Sequence, residues 1–196
     1  MKEVIVTLNS TTPLLMNYNQ AVNPLHPLAI ELKKYTGKRK KTDEDNLEIL
    51  KIKWRAGLYY TKETGPYIPA ENIEACLRDA AKRSKRGKDV TTGIRVLQSM
   101  IPLEYDGPRD VEELIKSVPI GGEFSDVRVG RIQGSSILVS RPRFNRWSIT
   151  FPLNYDEDIF DEGEIKDILE TAGKYVGLCD FRQRYGKFEA SIKKHK

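Results

Sequence analysis

Residues 162–192 read EGEIKDILETAGKYVGLCDFRQRYGKFEASI, and they specify a helix, a loop and a strand in succession. Apolar residues recur at helical spacing behind an acidic start, which predicts a helix over residues 162–176. Gly177 follows, and glycine is the residue type that most often ends a helix. The segment FEASI then predicts a strand over residues 188–192.

The rest of the chain supplies the other elements of a sheet protein with helices. Alternating β-branched residues predict a strand over 3–8, and an apolar stripe predicts a helix over 70–84. Two strands are expected within about 135–153, joined as a hairpin through the turn RPRFNR at 141–146. The order β-α-β-β-α-β predicts an α+β protein with a ferredoxin-like antiparallel sheet, the split βαβ arrangement of a modified RRM.

A helical insertion is expected after the first strand, over about residues 24–57. Thr42 is a suitable N-cap, and the acidic residues that follow it suit the positive end of a helix. A shorter helix is expected around residues 110–117, capped by Asp110. The chain shows no internal repeat and no low-complexity linker, so residues 1–196 are interpreted as a single domain.

Composition excludes several classes of protein. The chain has 196 residues, of which 39% are hydrophobic and 31% charged, a balance that favours a globular protein over a disordered one. No apolar run approaches the roughly 18 residues of a membrane span, and the start lacks a secretory signal, so a cytoplasmic location is expected. Two distant cysteines, Cys76 and Cys179, indicate buried thiols rather than a disulfide framework or a zinc site.

Basic residues outnumber acidic ones by 33 to 28, and their distribution carries more information than the net charge of +5. Between Asp126 and Asp156 there is no carboxylate, which favours phosphate binding by arginine with aromatic stacking beside it. A solvated basic hairpin paired with acidic residues elsewhere is the alternative. The candidate residues of this segment are Arg128, Arg131, Arg141, Arg143, Phe144, Arg146 and Trp147.

The loop between the last predicted helix and strand has a glycine at each end. Such a loop can bring backbone amides and guanidinium groups close to a phosphodiester, although an ordinary connection would look similar. Its candidate residues are Phe181, Arg182, Arg184, Tyr185 and Lys187.

Two lysine-rich tracts, residues 33–41 and 82–88, are further candidates for phosphate binding. The alternative is that each is a solvated helix end whose cations complement the negative pole of the helix dipole. The candidates here are Lys38, Arg39, Lys40, Lys82, Arg83, Lys85, Arg86 and Lys88.

Catalytic patterns are sparse. His26 and His195 are the two histidines, and they offer no triad and no two-histidine metal cluster. The acidic run over residues 156–164 could hold magnesium, but its position at a helix start favours capping. No catalytic residue, metal or cofactor is therefore predicted.

Three segments resemble the RAMP superfamily of CRISPR-associated proteins, closest in plan to Cas7-type backbone subunits. They are the opening strand with TPLLMN at 12–17, GPYIPAENIEACLRDAAK at 65–82, and the tail over 177–192. The resemblance implies a modified RRM-like fold that binds a single strand along a groove, as a helical string of identical subunits. The chain is short for such a subunit and has no histidine placed for RNA cleavage, which argues against a Cas6-like processing nuclease. A small phage or prophage relative, acting in a bacterial or phage-infected cell, fits its size better.

The leading hypothesis is a non-enzymatic protein that binds single-stranded DNA or RNA and assembles along it as a homo-oligomer or filament. Phosphate neutralisation would supply salt-dependent affinity, and aromatic faces would accept any base. Two alternatives remain: a metal- or histidine-dependent endoribonuclease of RAMP type, and a structural or interaction subunit of a phage or anti-defence complex.

Overall fold

The computed structural model describes residues 1–118, 121–132 and 135–194, and for residues 131, 132, 135, 136 and 194 it describes the backbone alone. The elements follow in the order β1 (Lys2–Ser10), β2 (Leu14–Leu15), α1 (Pro27–Thr36), α2 (Asp43–Gly57), β3 (Tyr60–Thr61), β4 (Gly65–Pro69), α3 (Ala70–Ala81), α4 (Gly87–Gly93), β5 (Ile94–Val96), β6 (Met100–Pro102), α5 (Val111–Ile115), β7 (Ser125–Ile132), β8 (Ser135–Phe144), β9 (Ser148–Tyr155), α6 (Glu162–Thr171) and β10 (Phe188–Lys194). The predicted α+β class with antiparallel sheets is confirmed.

A four-stranded antiparallel sheet, in the order β10-β1-β9-β5, lies at the centre of the fold. Alternate residues of β1, namely Val4, Val6 and Leu8, are buried because successive side chains of a strand point to opposite faces. Helix α3 lies between β1 and β5 in sequence, and α6 lies between β9 and β10. In the sheet, β9 lies between β1 and β5, and β1 lies between β9 and β10, so each crossover passes over one strand.

The predicted hairpin of residues 135–153 is wrong. Strand β8 pairs with β7 and β2 in a second sheet, whereas β9 pairs with β1 and β5 in the central one. Phe144 and Trp147 are 0% and 3% exposed on either side of the exposed pair Asn145 and Arg146. The chain therefore crosses from the second sheet to the central sheet between these two buried rings. RPRFNR is the crossing segment and not a hairpin tip. The strands beside β9 are β1 and β5.

Two helices, α1 and α2, lie within the segment predicted to be a helical insertion. Thr42 and Asp45 form a capping box at the start of α2, in which each side chain accepts a hydrogen bond from the other residue's backbone N–H. Trp54 on α2 is fully buried, and its indole N–H donates to the carbonyl of Phe124 over 2.8 Å. This contact fixes α2 against the residue that precedes β7.

Helices α3 and α6 bury their apolar stripes in the same core as the central sheet. The helix predicted over residues 70–84 ends at Ala81 and continues as a 3₁₀ turn over Lys82–Ser84. The helix predicted over 162–176 is α-helical to Thr171, after which a π turn covers Ala172–Val176. The predicted helix at 110–117 is present as α5, and Asp110 caps it.

Candidate nucleic-acid interface

The loop between α6 and β10, residues 177–187, is called the glycine-flanked loop, and its two ends touch. Gly177 and Gly186 have φ angles of +85° and +70°, which other residues rarely adopt. A Cβ on Gly186 would lie 2.1 Å from the carbonyl oxygen of Leu178, and one on Gly177 would lie 2.7 Å from the carbonyl oxygen of Tyr185. The N–H of Leu178 donates to the carbonyl of Gly186 over 2.9 Å. Glycine is therefore required at both ends of the loop.

The glycine-flanked loop also bonds to the segment around β2. The N–H of Gly186 donates to the Pro13 carbonyl over 2.8 Å, and the N–H of Asp180 donates to the Leu15 carbonyl over 2.9 Å. These bonds place the loop beside β8, because Leu15 is the register partner of Arg143. Two of the segments singled out in the sequence, TPLLMN at 12–17 and the tail over 177–192, are thus neighbours in space.

One face of the β7–β8 pair carries the arginines that the loop meets. Asp126 on β7 lies opposite Arg141 on β8. Arg128 and Arg143 are each two residues further along their strands, so these four side chains share a face. Arg143 Nε is buried and has no hydrogen-bond partner among the described residues.

Arg128 lies between the sheet face and two rings of the loop. Its Nε and Nη2 donate to Asp126 Oδ1 over 2.9 and 2.7 Å, and Nη2 also donates to the Tyr185 hydroxyl. The guanidinium lies 5.3 Å from the Tyr185 ring centre and 6.0 Å from that of Phe181. The hydrogen bonds to Asp126 and then to Tyr185 raise the pKa of Arg128, which keeps it charged.

Arg141 forms an ion pair with Asp180 of the glycine-flanked loop. Nε of the arginine lies 2.6 Å from Oδ2 of the aspartate, and both side chains are about a quarter exposed. The two atoms are not aligned as donor and acceptor of a hydrogen bond. The pair joins the loop to β8.

Asp79 on α3 pairs with cations on the other side of the loop. Its Oδ2 lies 3.1 Å from Arg182 Nη1, and its Oδ1 lies 2.7 Å from Lys82 Nζ. The hydrogen bond from Lys82, followed by that from Arg182, lowers the pKa of Asp79. Lys187 donates to the Val176 carbonyl over 3.0 Å, and burial lowers its pKa.

Three residues of the glycine-flanked loop are exposed to solvent, Phe181, Gln183 and Arg184, and two of them were predicted to bind nucleic acid. Phe181 is 43% exposed, and its φ angle of 52° is unusual for a residue other than glycine. Arg184 is exposed and forms no ion pair with any described residue. A free guanidinium and an accessible ring three residues apart are suited to a phosphate and a base.

The two aromatic candidates outside the loop are buried and cannot stack on a base. Phe144 and Trp147 are core residues, and the Trp147 indole N–H donates to the Thr12 carbonyl over 3.0 Å. Their prediction as stacking residues is corrected, because a ring inside the core cannot meet a base. Tyr185 is 9% exposed, and its hydroxyl is used by Arg128.

Part of each lysine-rich tract serves the fold. Arg86 pairs with Asp89 and Glu164 and lies 4.6 Å from the Phe160 ring centre. Lys38 pairs with Asp45 over 2.6 Å. Such paired cations present little net charge to a ligand. Arg83 lies over the Tyr175 ring. Four further candidate residues of the tracts are exposed, namely Arg39, Lys40, Lys85 and Lys88.

Two arginines of the predicted set remain, Arg146 and Arg131. Arg146 is exposed and lines a separate cleft with Glu104 and Asp106. Arg131 has its backbone in β7, and its side chain lies outside the described residues.

The residues considered for catalysis have local structural roles. His26 Nδ1 accepts a hydrogen bond from the N–H of Leu28 and caps α1. Asp161 and Glu164 form the capping box of α6. In the described ranges, no group of three or more His, Cys, Asp or Glu side chains is placed to hold a metal ion. His195 lies outside these ranges.

The carboxylate partners of Arg141 and Arg182 were not identified from the sequence. Asp79 is 103 residues from Arg182 along the chain, and Asp180 is 39 residues from Arg141. The absence of acidic residues near Arg141 in sequence therefore said nothing about its neighbours in space. The alternative interpretation, in which basic residues pair with acidic residues elsewhere in the chain, describes Arg141 correctly.

Comparison with known proteins establishes a shared fold. No family model matches the sequence, and no curated protein matches it. Among solved structures, a chain of the cryo-EM structure of the Type III-B Cmr-beta bound to cognate target RNA is similar, with a TM-score of 0.52 and 14% identity. The match covers 98% of this chain and 60% of that one. The chain thus spans about three-fifths of the length of the protein it resembles in fold.

The helices also bear on the membrane question. Within the part of the chain that the structure describes, no helix has both the length and the apolar character needed to cross a bilayer.

Proposed function

We propose that this chain is a small Cas7-like member of the RAMP superfamily, with a ferredoxin-like core, that binds single-stranded nucleic acid and does not cleave it. The fold similarity to a chain from an RNA-bound assembly supports RNA as the first ligand to test. The observation that carries the proposal is the meeting of the glycine-flanked loop with the arginine face of β7 and β8.

The meeting point has a positive balance even after its ion pairs are counted. Asp79 pairs with Lys82 and Arg182, Asp126 with Arg128, and Asp180 with Arg141. Three further cations on β8 or the loop, Arg143, Arg184 and Lys187, form no ion pair with a described carboxylate. A phosphate approaching this surface therefore meets net positive charge. The cations are Lys82, Arg128, Arg141, Arg143, Arg182, Arg184 and Lys187.

The loop is also held in one shape before any ligand arrives. Its ends are bonded to each other and to the segment around β2, and Asp180 and Tyr185 bind arginines of the sheet. Preorganisation lowers the entropy lost on binding, so the exposed Phe181 and Arg184 can contact a strand without first being ordered.

The proposed interface is smaller than the sequence suggested. Arg86 and Lys38 are engaged in the fold, and two of the four aromatic candidates are in the core. Binding is therefore expected to rest on a few phosphate contacts and one exposed ring, with weak sequence preference.

A fluorescence anisotropy titration tests this function. Labelled single-stranded RNA and DNA of mixed sequence are titrated with the protein at about 50 and 200 mM salt, a range over which phosphate contacts weaken measurably. The proposal expects saturable binding that weakens with salt, and the loss of most of it in a Phe181→Ala/Arg184→Ala double variant. Salt-independent binding, or no binding, contradicts it, and shortening of the RNA on a gel with or without magnesium would favour the nuclease alternative.

Assembly along the ligand is part of the same proposal. Sedimentation with oligonucleotides of increasing length should give complexes whose mass rises in steps of one protein chain. A constant stoichiometry of one protein per strand at every length would remove this part and leave the binding itself intact.

A further inference from the structure

Three tyrosines that the sequence analysis did not assign to a site form a cluster beside the glycine-flanked loop, in which one pair is stacked and the other is tilted. The rings of Tyr18 and Tyr59 lie 4.7 Å apart, centre to centre, with 30° between their planes, and Tyr67 lies 6.0 Å beyond Tyr59. Tyr67 is buried and Tyr59 is half-buried, but Tyr18 is 47% exposed. One face of the Tyr18 ring is covered by Tyr59, so its other face is open to a ligand.

These rings line a cleft of about 400 Å³. Its remaining wall is mixed: Glu71, Asn72 and Ser99 supply polar groups, and Pro69 and Met100 are apolar. An aromatic wall with a few hydrogen-bonding groups is the general form of a site for a flat, polar ring. The carboxylate of Glu71 accepts hydrogen bonds from amino groups and repels phosphate, so the end of a nucleotide that suits this cleft is the base.

The cleft is joined to the glycine-flanked loop along α3. The Asn72 amide donates to Cys179 Sγ over 3.7 Å, and Asp79, two turns further along α3, pairs with Arg182. Seven residues of helix span about 10 Å. The cations of the loop and the open ring of Tyr18 therefore lie at the two ends of a short path along one helix.

We propose that this cleft holds one unstacked nucleobase of the bound strand, with its ring against Tyr18 and an exocyclic amino group toward Glu71. This inference rests on the proposed function, because the loop must hold the phosphates of the same strand. It adds a base subsite that the loop and the arginine face do not provide.

The phenols in the cleft are suited to this task at neutral pH. Burial raises the pKa of both Tyr59 and Tyr67, so both remain uncharged and can donate a hydrogen bond. Neither ring therefore adds a negative charge that would repel the strand.

The test uses single-stranded RNA that carries 2-aminopurine at one position, a base with an exocyclic amino group whose emission changes on stacking. Wild-type protein is compared with Tyr18→Phe, which keeps the ring, and Tyr18→Leu, which removes it. Tyr175→Leu is the matched control, because Tyr175 is 51% exposed and contacts Arg83, beyond the opposite end of α3 from the cleft. Thermal unfolding of each variant checks that it folds.

Tyr18→Leu should weaken RNA binding about tenfold, the order expected for one lost base–aromatic stack, and should abolish the emission change. Tyr18→Phe and Tyr175→Leu should match wild type within about twofold. If wild type binds RNA and Tyr18→Leu binds equally well, the cleft is not a base site and the proposed function stands. If wild type binds neither RNA nor DNA, both proposals fall. Equal losses of RNA affinity in Tyr18→Leu and Tyr175→Leu would show that the cleft is not a base site.

Discussion

Asp180 pairs its carboxylate with Arg141 over 2.6 Å while its own N–H donates to the Leu15 carbonyl over 2.9 Å. One residue of the glycine-flanked loop is thus joined to two neighbouring strands, β8 through a side chain and β2 through the backbone. A phosphate that approached Arg141 would compete with Asp180 for the same guanidinium. The loop's position and its positive charge therefore depend on the same contact.

The first prediction separates these two effects. Asp180→Asn removes the negative charge at nearly constant shape and leaves Arg141 without its carboxylate, so we expect the free energy of unfolding to fall by about 1–2 kcal/mol. RNA affinity should rise severalfold, because Arg141 becomes available to phosphate. Urea unfolding and anisotropy measure the two changes, and Asp167→Asn, at an exposed position on α6, is the control. Weaker RNA binding with unchanged stability would contradict the assignment.

The second prediction concerns the free guanidinium of Arg184. Arg184→Ala should weaken binding of all sequences by a similar factor and reduce the slope of log K against log salt by about 0.7, the value for one phosphate contact to a single strand. Arg95→Ala is the matched control, since Arg95 is exposed on β5, at the opposite edge of the central sheet from β10. Equal slopes for both variants would remove Arg184 from the interface.

The third prediction tests the contact between the loop's two ends. Gly186→Ala combines a positive φ angle with a Cβ 2.1 Å from a carbonyl oxygen, so we expect a loss of more than about 2 kcal/mol of stability. Gly121→Ala has the φ penalty alone with respect to the described residues, since none of them lies within 4 Å of a Cβ at this position, and should cost about 1–2 kcal/mol. Urea unfolding of both variants gives the difference, and equal losses would show that the close approach is absent in solution.

The fourth prediction follows from the lowered pKa of Asp79. A carboxylate whose pKa is lower in the folded protein stabilises it above the ordinary value of 3.8 and loses that effect as the pH falls through the folded value. Wild type should melt about 2–4 °C above Asp79→Asn between pH 5 and 7, on the basis of about 1 kcal/mol for two partly exposed pairs. The gap should close below pH 3.8. A gap independent of pH in differential scanning calorimetry would contradict an ionic origin.

Local patterns predicted most helices and strands but not their pairing. The cap at Thr42 and the alternation in β1 depend on residues close in sequence, so they were visible there. The pairing of β8 depends on Phe144 and Trp147 both entering the core, which periodicity does not show. Strand β5 has three residues and was missed, because so short a strand leaves almost no pattern.

The candidate site was predicted in part. The glycine-flanked loop was identified because glycines and cations lie together in sequence, and the structure adds the contacts of Arg128 and Arg141 with it. Asp180, the partner of Arg141, and Asp79, the partner of Arg182, come from distant positions in the sequence, as does Tyr18 in the cleft. Their approach follows from tertiary packing, which one sequence does not encode in any local spacing.

The two tryptophans of the chain enter the same hydrophobic core from different segments. Trp54 belongs to the helical insertion and donates to the Phe124 carbonyl, whereas Trp147 belongs to the crossing between the sheets and donates to the Thr12 carbonyl. The fluorescence of each indole therefore reports on the segment that contains it. Single-tryptophan variants could show whether the insertion detaches before the central sheet melts, and whether the whole chain unfolds as one cooperative unit.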